Sequence, residues 1–445
     1  MDNRFSRLFN LTEAQAIEVL DGAANDSDEA SNRYIAASHL VNFDTPDTIA
    51  ALVRAVKNDA DDLDNRIVRR KAVESLGRLR AASALGVIAG CLSDADNYLV
   101  ENAAWAIGEI GTADAQILER LAQQLEREGQ SYRTIIHTLA KLRYAPAAAR
   151  IEPFTGSEQA PIASAAFSAL YQLRGEANGG EAAIAKVKQY LFSTNVNARR
   201  GSIQDLIDAG YYRAIPHIAQ CPVSMVFRLR GISALGQSGI EQGALTFQDI
   251  QPIVEKTIKD HPSNLTFVHR YEEAQTLPSL VQELYGTDFG RCYLATQTLI
   301  EQYAEDAPAA LLKTYRAEGY NDYGAHYHIM RLFGWLKMSE AYDLLIEALN
   351  NKAPQFQKSR TAAAIALAEL NNPEAIPALR TALSVPIWDL QYAAILALAQ
   401  LNDPQPLPIA AENAAESAAE NAAGNDAENA DLHWLVRAKL QTAAS

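Results

Sequence analysis

Residues 361–370 read TAAAIALAEL, and residues 372–379 read NPEAIPAL. The first string is rich in alanine, which favours helix formation. In the second string an asparagine precedes Pro373, and proline is common in the first turn of a helix. Together the strings predict an Ala-rich helix, which is the second helix of one repeat, followed by a polar turn and the short first helix of the next repeat. This pair of helices is the unit from which we predict the fold.

The apolar pattern of this unit recurs along most of the chain. Its equivalent positions are Leu76, Ile107, Leu139, Leu170, Leu206, Leu235, Leu299, Phe333, Leu367 and Leu398. Consecutive positions are 29 to 36 residues apart, except for one step of 64 that spans an irregular helix pair near residues 251–284. A period in the low thirties made of two helices is typical of an α-solenoid. We predict an all-α fold, an α-solenoid of HEAT-like helical repeats, with armadillo-type repeats as the alternative.

The pattern divides the chain into four predicted segments. Residues 1–64 hold N-terminal helices that cap the array, and residues 65–402 form the HEAT-like repeat solenoid. Residues 403–431 are an acidic, low-complexity insertion of Ala, Glu and Asn, which lacks the large apolar residues needed to dock it on a core. Residues 432–445 form a short C-terminal helix.

The charge balance excludes one class of partner. The 445 residues carry a formal net charge of −15, of which residues 410–431 contribute six carboxylates and no basic residue. Binding to phosphate groups needs a cationic surface, so we expect no nucleic acid partner. The N-terminus is too polar for a signal peptide, and no run of about 18 apolar residues predicts a membrane span.

Three cysteines, Cys91, Cys221 and Cys292, lie far apart and outside any Cys-x-x-Cys spacing. They predict neither a disulfide framework nor a zinc site, which fits a cytoplasmic location where thiols stay reduced. The sequence also lacks a P-loop, a GxGxxG motif, an HExxH motif and a Ser-His-Asp order. Classical hydrolase and nucleotide chemistry therefore has no support.

Residues 320–335, which read YNDYGAHYHIMRLFGW, differ most in composition from the other repeats, which are mostly Ala, Leu, Ile and charged residues. They combine five aromatic residues with two histidines, one arginine and Asp322. Asp322 precedes a predicted helix, where a carboxylate either caps the N-terminus or takes part in chemistry. The flanking rings favour a functional role for this residue.

Within that helix, Tyr327, Arg331 and Trp335 recur every four residues and share one face. His326 and His328 are two apart, so one helical face does not hold both, and no third ligand is obvious nearby. We therefore expect no metal site.

Second helices usually line the concave wall of a solenoid, so their polar residues are candidates for binding. The set comprises Arg69, Arg70, Glu101, Trp105, Arg199, Arg200, Arg228, Arg230, Arg291, His326, Arg331, Trp388 and Asp389. Its arginines either form ion pairs between repeats or hold carboxylates of a ligand, which guanidinium groups bind bidentately. Glu101 and Trp105, four apart on one face, either belong to the core or form an indole wall beside a carboxylate.

Two segments carry a resemblance to a known family. Residues 98–111, which read YLVENAAWAIGEIG, and residues 320–335 resemble the E/F-type phycobilin lyases of cyanobacteria. The length, the entry Asn10-Leu11-Thr12 and the nearly full-length array are similar to the single-chain, phycoerythrin-type branch of that family. The resemblance covers about residues 5–402 and leaves the tract at 403–431 aside.

The resemblance implies an enzyme that attaches phycoerythrobilin, a linear tetrapyrrole, through a thioether to a cysteine of a phycoerythrin α-subunit. The bilin is the substrate, and no cofactor is expected. Such a ligand suits the residues already singled out: arginines for its propionates, carboxylates for its pyrrole N–H groups and aromatic side chains for its rings. The predicted bilin-binding residues are Glu101, Trp105, Arg200, Arg230, Tyr327, Arg331 and Trp335.

The nucleophile belongs to the acceptor protein, so positioning is most of what the chain must supply. Asp322, with Tyr323 or His326 beside it, is the predicted catalytic group for proton transfer. Two alternatives stay open: a lyase that also isomerises the bilin to phycourobilin, and a non-enzymatic HEAT-repeat scaffold or assembly chaperone for the phycobilisome.

Overall fold

The computed structural model describes residues 11–22, 27–175, 179–403 and 432–444, and every regular element in these ranges is helical. In chain order the α-helices are α1 (Glu13–Asp21), α2 (Ser27–His39), α3 (Pro46–Lys57), α4 (Leu63–Arg78), α5 (Leu85–Gly90), α6 (Asn97–Ile110), α7 (Ala115–Gln123), α8 (Tyr132–Lys141), α9 (Ala148–Ile151), α10 (Ala160–Arg174), α11 (Gly180–Tyr190), α12 (Val196–Asp208), α13 (Ile215–Gln220), α14 (Met225–Glu241), α15 (Phe247–Lys259), α16 (Leu277–Glu283), α17 (Phe289–Gln302), α18 (Ala307–Ala317), α19 (Tyr323–Trp335), α20 (Tyr342–Asn350), α21 (Gln357–Glu369), α22 (Ile376–Leu383), α23 (Trp388–Gln400) and α24 (Trp434–Ala444).

The ten positions of the predicted period all lie in second helices of helix pairs. They fall one each in α4, α6, α8, α10, α12, α14, α17, α19, α21 and α23, and none of the ten side chains is more than 4% exposed. Within each compact unit the period therefore marks buried positions at which neighbouring repeats pack, as in repeat proteins generally. The prediction of an all-α solenoid of HEAT-like repeats is confirmed.

Short polar side chains start many of the second helices. Asp62, Asp96, Asn195, Asp288 and Asp322 each accept a backbone N–H of the first turn, at the starts of α4, α6, α12, α17 and α19. Such caps satisfy donors that the helix itself leaves unpaired. These caps therefore fix where the second helices begin.

Glycines let adjacent second helices approach closely. A Cβ at Gly77 of α4 would lie 2.8 Å from the Cβ of Ala106 on α6, and a Cβ at Gly334 of α19 would lie 2.7 Å from the Cα of Ala366 on α21. Both distances are too short for real side-chain contacts. The backbones of neighbouring repeats therefore pack directly on each other at these points.

The step of 64 in the period has a structural cause. After α15 the chain turns through the short 3₁₀ helix Pro262–Asn264 and then forms no helix until α16 begins at Leu277. A second helix is thus missing between α15 and α16. Irregular chain from Asp260 to Thr276 takes its place.

The helices form two compact units, residues 1–187 and residues 188–445. The core of the first unit runs from Ala16 in α1 to Leu170 in α10. In the second unit α24 packs against α15 and α23, with Leu435 and Val436 buried. The predicted insertion at 403–431 lies, apart from Asp403, outside the described residues. None of the described helices has the length and apolar composition that crossing a membrane requires.

Candidate functional site

Glu101 and Trp105 lie on α6, in the first unit. Glu101 Oε1 accepts hydrogen bonds from Ser131 Oγ at 2.7 Å and from Thr134 Oγ1 at 3.0 Å. Trp105 is partly buried and packs against the apolar core. Both residues therefore tie α6 to its own unit, and the other eight predicted site residues all lie in the second unit.

Asp322 begins α19 as its N-cap. Its Oδ1 accepts the backbone N–H groups of Gly324 at 2.8 Å and Ala325 at 2.7 Å. The next residue, Tyr323, is 54% exposed, as is Tyr320 in the turn before. Of the three predicted catalytic residues, Tyr323 is thus the exposed one, and Asp322 has a structural task that accounts for its position.

Tyr327 lies in the core and not on a groove wall, because α19 packs between α17, α18 and α21. Its side chain is 0% exposed, and its hydroxyl donates to Asp260 Oδ2. The same carboxylate accepts the hydroxyl of Tyr293 at 2.6 Å and pairs with Arg228. Burial raises the pKa of Tyr327 well above its usual value, so this hydroxyl is a structural donor.

His326 and Arg331 are also core residues. His326 is 1% exposed and lies between the rings of Tyr315 and Phe356, with centroids at 5.6 and 4.6 Å. Burial lowers the pKa of His326 to about 4, so it is neutral at physiological pH and poorly suited to donate a proton. The sequence predicted that His326 and Arg331 face a groove. Instead they are buried, because α17, α18 and α21 surround α19.

Arg331 and Trp335 do share a face, as their spacing predicted. The guanidinium carbon of Arg331 lies 4.6 Å from the centroid of the Trp335 ring, and that ring meets His261 edge to face at 5.2 Å. Arg331 is 0% exposed. The Arg331 end of this stack is therefore buried in the second unit, whereas Trp335 and His261 are partly exposed.

Arg200 and Arg230 differ in whether their guanidinium groups are available to bind a ligand. Arg200 donates to the carbonyl of Thr287 at 3.1 Å and lies 5.3 Å from the ring centroid of Phe227. Arg230 is exposed on α14 and donates to the side-chain oxygen of Gln204 at 2.5 Å. A neutral amide leaves the charge of Arg230 available for an anion.

Arg230 stands at a cavity of about 330 Å³ in the second unit. The wall comprises Val226, Leu229, Arg230, Ser233, Ala234, Gln237, Trp388, Asp389 and His433. These residues come from α14, from the start of α23 and from the turn before α24. Ligand pockets typically measure about 300–1,000 Å³, so the size suits a small molecule or part of a larger one.

One wall of the cavity is a flat aromatic surface. The rings of Trp388 and His433 stack with centroids 4.4 Å apart and planes at 13°. Trp434 Nε1 donates to Ser233 Oγ at 3.1 Å, and His433 Nε2 lies 3.2 Å from the same oxygen. Burial lowers the pKa of His433. The stack is therefore uncharged, and the contacts of His433 and Trp434 with Ser233 of α14 hold it in place.

Asp389 supplies a carboxyl group to this wall. It is partly exposed, and its Oδ2 accepts a hydrogen bond from Thr361 Oγ1 at 2.9 Å. Burial raises the pKa of Asp389, against the effect of that hydrogen bond. A carboxyl group with a raised pKa can donate or accept a proton nearer to neutral pH than a free one.

Sequence reasoning had singled out Arg230, Trp388 and Asp389, but it had not placed them together. It missed His433 and Lys358. Lys358 lies on α21 with Nζ 3.4 Å from the ring centroid of Tyr323 and 4.0 Å from that of Phe289. A signal was present, because Lys358 is a charged residue in an otherwise Ala-rich second helix.

Comparison with known proteins gives the family. Residues 62–128 and 342–424 match the family model of HEAT repeats. The chain is 58% identical to a protein of Pseudanabaena tenuis named uncharacterized phycocyanin operon protein Y, over 88% of its own length and 93% of that protein. It is 30% identical to the bilin biosynthesis protein CpeY of Synechococcus sp., over 83% of its own length and 90% of that protein. The chain belongs to the E/F-type phycobilin lyase family.

The lyase also resembles a smaller relative and a solved complex. The phycocyanobilin lyase subunit alpha of Picosynechococcus sp. is 27% identical to this lyase. The aligned region covers 54% of this lyase and 93% of the subunit alpha. The structure of the complex of CpcE and CpcF of phycocyanin lyase from Nostoc sp. matches with a TM-score of 0.46 at 25% identity, over 56% of this lyase and 94% of the matched chain.

Proposed function

We propose that this lyase attaches phycoerythrobilin through a thioether to a cysteine of a phycoerythrin α-subunit. The observation that carries the proposal is the cavity of about 330 Å³, in which an aromatic wall, an exposed arginine and a partly buried carboxyl group converge. These are the three kinds of group that a linear tetrapyrrole needs. We expect the reaction to take place in the cytoplasm, without a cofactor.

Each part of the bilin has a matching partner in the cavity. A pyrrole ring would lie against Trp388, which is already stacked on His433. A propionate would pair with Arg230, whose guanidinium faces only the neutral Gln204 among its hydrogen-bond acceptors in the described residues. Asp389 would accept a pyrrole N–H group. The remainder of the bilin would extend beyond the cavity along the second helices.

The covalent step joins a thiolate sulfur to the exocyclic ethylidene carbon of the bilin. The carbon–sulfur bond forms as the exocyclic double bond breaks, and a proton is added to the adjacent ring carbon. The thiolate comes from the acceptor, because the lyase's own thiols are poorly suited. Cys91, Cys221 and Cys292 are buried, and burial raises their pKa values to about 11, 12 and 12.

The proton must come from a group near the bilin. Asp389 suits this role, because it lines the cavity and burial raises its pKa. Of the residues predicted from sequence, Tyr323 is exposed and stays a proposed contact of the bilin outside the cavity. Asp322 is proposed to act by holding the start of α19, and so the position of Tyr323.

Coexpression tests the proposal. The lyase, phycoerythrobilin and a phycoerythrin α-subunit are produced together, and the bilin that remains on the subunit after denaturation is measured by absorbance. We expect a coloured adduct that depends on the lyase. Trp388→Ala and Arg230→Met should each lower its yield about tenfold or more, because each removes a direct contact. Asp389→Asn should lower the yield while bilin binding persists.

Arg291→Met is the matched control. Arg291 is also an arginine near the start of a second helix, but it pairs with Glu283 at 2.7 Å and does not line the cavity. Its loss should leave the adduct yield unchanged. An equal yield without the lyase, or full yield with Trp388→Ala and Arg230→Met combined, would contradict the proposed site.

The same experiment separates the other functions. A blue-shifted adduct would indicate isomerisation to phycourobilin during attachment, and a phycoerythrobilin spectrum would indicate attachment alone. Assembly of the subunit without a lyase-dependent adduct would favour a scaffold. Since one relative carries phycocyanin in its name, a phycocyanin α-subunit offered in parallel tests the choice of acceptor.

A further inference from the structure

Lys358 is a lysine buried in an aromatic cage. It is 5% exposed, and its Nζ lies 3.4, 4.0 and 5.2 Å from the ring centroids of Tyr323, Phe289 and Tyr327. Within the described residues, this Nζ has no hydrogen-bond partner. The ammonium group of Lys358 is therefore held in place with none of its three N–H groups donating a hydrogen bond.

Such a group is costly to the fold. Lysine is rarely buried unless it is paired with an anion, and cation–π contacts offset only part of the lost hydration. Burial lowers the pKa of Lys358 to about 7. A methionine of similar length would fill the same space without this cost. The cost indicates that the ammonium serves a ligand and not the fold.

Asp322 and Asp260 favour the charged form of Lys358 electrostatically, but no group in the described residues accepts a hydrogen bond from its Nζ. Asp322 Oδ1 is occupied by backbone N–H groups, and Asp260 is occupied by Arg228, Tyr293 and Tyr327. The other groups that face it are Arg200 of α12, Cys292 of α17, and Tyr323, His326, Tyr327 and His328 of α19. Burial keeps both histidines neutral by lowering their pKa values.

Tyr323 is the exposed wall of the cage. At 54% exposure, its side chain can change rotamer without disturbing the core, as exposed side chains commonly do. Such a rotation would uncover Nζ to a ligand. The other two rings belong to Phe289 and Tyr327, which are 2% and 0% exposed and stay fixed.

The cage also lies close to the cavity along α21. Thr361, which donates to Asp389 at the cavity, follows Lys358 by three residues on the same helix. Residues three apart share one face of a helix and are separated by about one turn, roughly 5 Å. An elongated ligand seated against Trp388 can therefore extend toward Lys358.

We propose that Lys358, covered by Tyr323, is a carboxylate-binding site that holds a propionate of the bilin. The inference rests on the proposed function, since it assumes that the bilin occupies the neighbouring cavity. Binding exchanges the aromatic cover for a charge-assisted hydrogen bond between Nζ and the carboxylate. No covalent bond changes in this step.

The test compares phycoerythrobilin with its dimethyl ester, in which both propionates are neutral. Dissociation constants are measured by absorbance for the purified full-length chain at pH 6.5. We expect the wild type to bind the diacid more tightly than the ester by about tenfold or more. Lys358→Met should lose the share of that preference that Lys358 supplies, keep the share that Arg230 supplies through the other propionate, and bind the ester as the wild type does. Lys352→Met, at an exposed lysine in the loop before α21, should behave as the wild type.

The pH dependence gives a second readout. Because the carboxylate favours the ammonium form of Lys358, the preference for the diacid should shrink as the pH rises from 6.5 to 9, with proton uptake on binding. The ester should show no such trend. Lys358→Met should show a flat profile for both ligands.

A third readout excludes a merely structural role. A buried lysine whose pKa is lowered destabilises the folded state most at a pH below that pKa. This destabilisation decreases as the pH rises toward about 10.4, the pKa of lysine in the unfolded chain. Lys358→Met should therefore keep or raise the thermal unfolding midpoint at pH 6.5. A lower midpoint with an unchanged diacid preference would overturn the inference.

The outcomes separate the two proposals. An equal preference for the diacid in the wild type and in Lys358→Met overturns the role of Lys358 and leaves the proposed function standing. Failure of the wild type to bind either form overturns the proposed function and the carboxylate site with it.

Discussion

Asp260 organises the polar interior of the second unit. It ends α15 with a left-handed backbone, φ 51°, which is uncommon for a residue other than glycine. Its side chain is 1% exposed and receives Arg228, Tyr293 and Tyr327, which lie on α14, α17 and α19. One carboxylate thereby joins helices on both sides of the missing second helix.

Asp260→Asn should destabilise the chain by about 3–5 kcal/mol, because Arg228 would be left buried without its counter-charge. Urea unfolding followed by circular dichroism measures the loss. Asp306→Asn is the control, since Asp306 is exposed and makes no capping hydrogen bond with its side chain. A loss below about 1 kcal/mol, the range of an exposed ion pair, would show that the network is not essential to the fold.

Asp322 has two possible roles that one pair of substitutions separates. Asparagine caps a helix as well as aspartate does, and alanine costs about 0.5–2 kcal/mol. We expect Asp322→Asn to keep both stability and adduct yield, and Asp322→Ala to lose stability in thermal unfolding. A folded Asp322→Asn that forms no adduct would instead support the catalytic role predicted from the sequence.

At the scale of the helix, α19 explains what the sequence could and could not predict. Its start, its cap and the shared face of Arg331 and Trp335 follow from local patterns and agree with the structure. The burial of every residue from Gly324 to Gly334 does not follow from local sequence patterns. Periodicity within one helix cannot show how many neighbours cover it, and polar residues such as His326 gave the impression of an open face.

Small residues decide how closely neighbouring repeats pack. Gly334→Ala should lower the unfolding free energy by about 1–3 kcal/mol, because the added Cβ would overlap Ala366 and force α19 and α21 apart. Thermal unfolding measures this cost.

Gly86→Ala is the matched control, since a Cβ on α5 would meet nothing within 4 Å. That change should raise stability by about 0.5–1 kcal/mol through helix propensity and a less flexible unfolded chain. Equal effects of the two substitutions would contradict the close packing of α19 on α21.

At the scale of the whole molecule, the repeat period predicted the solenoid but not its division. Along the chain, the boundary between the two compact units falls between residues 187 and 188. The longest single step of the period, 36 residues from Leu170 to Leu206, spans this boundary, so a signal was present in the spacing. The candidate cavity could not be predicted from the sequence, because it joins α14 and α23 to His433, which comes 200 residues after Ser233 in the chain and just before α24.

We propose that this single chain directs a bilin onto an acceptor cysteine. The most direct measurement uses purified components: the lyase with one equivalent of phycoerythrobilin, mixed with apo phycoerythrin α-subunit in excess. Chromatography under acidic, denaturing conditions then measures the covalent adduct over time. We expect the lyase to accelerate adduct formation at one cysteine, and we expect Trp388→Ala combined with Arg230→Met to remove most of this acceleration. An adduct that forms at the same rate and with the same product mixture without the lyase would contradict it.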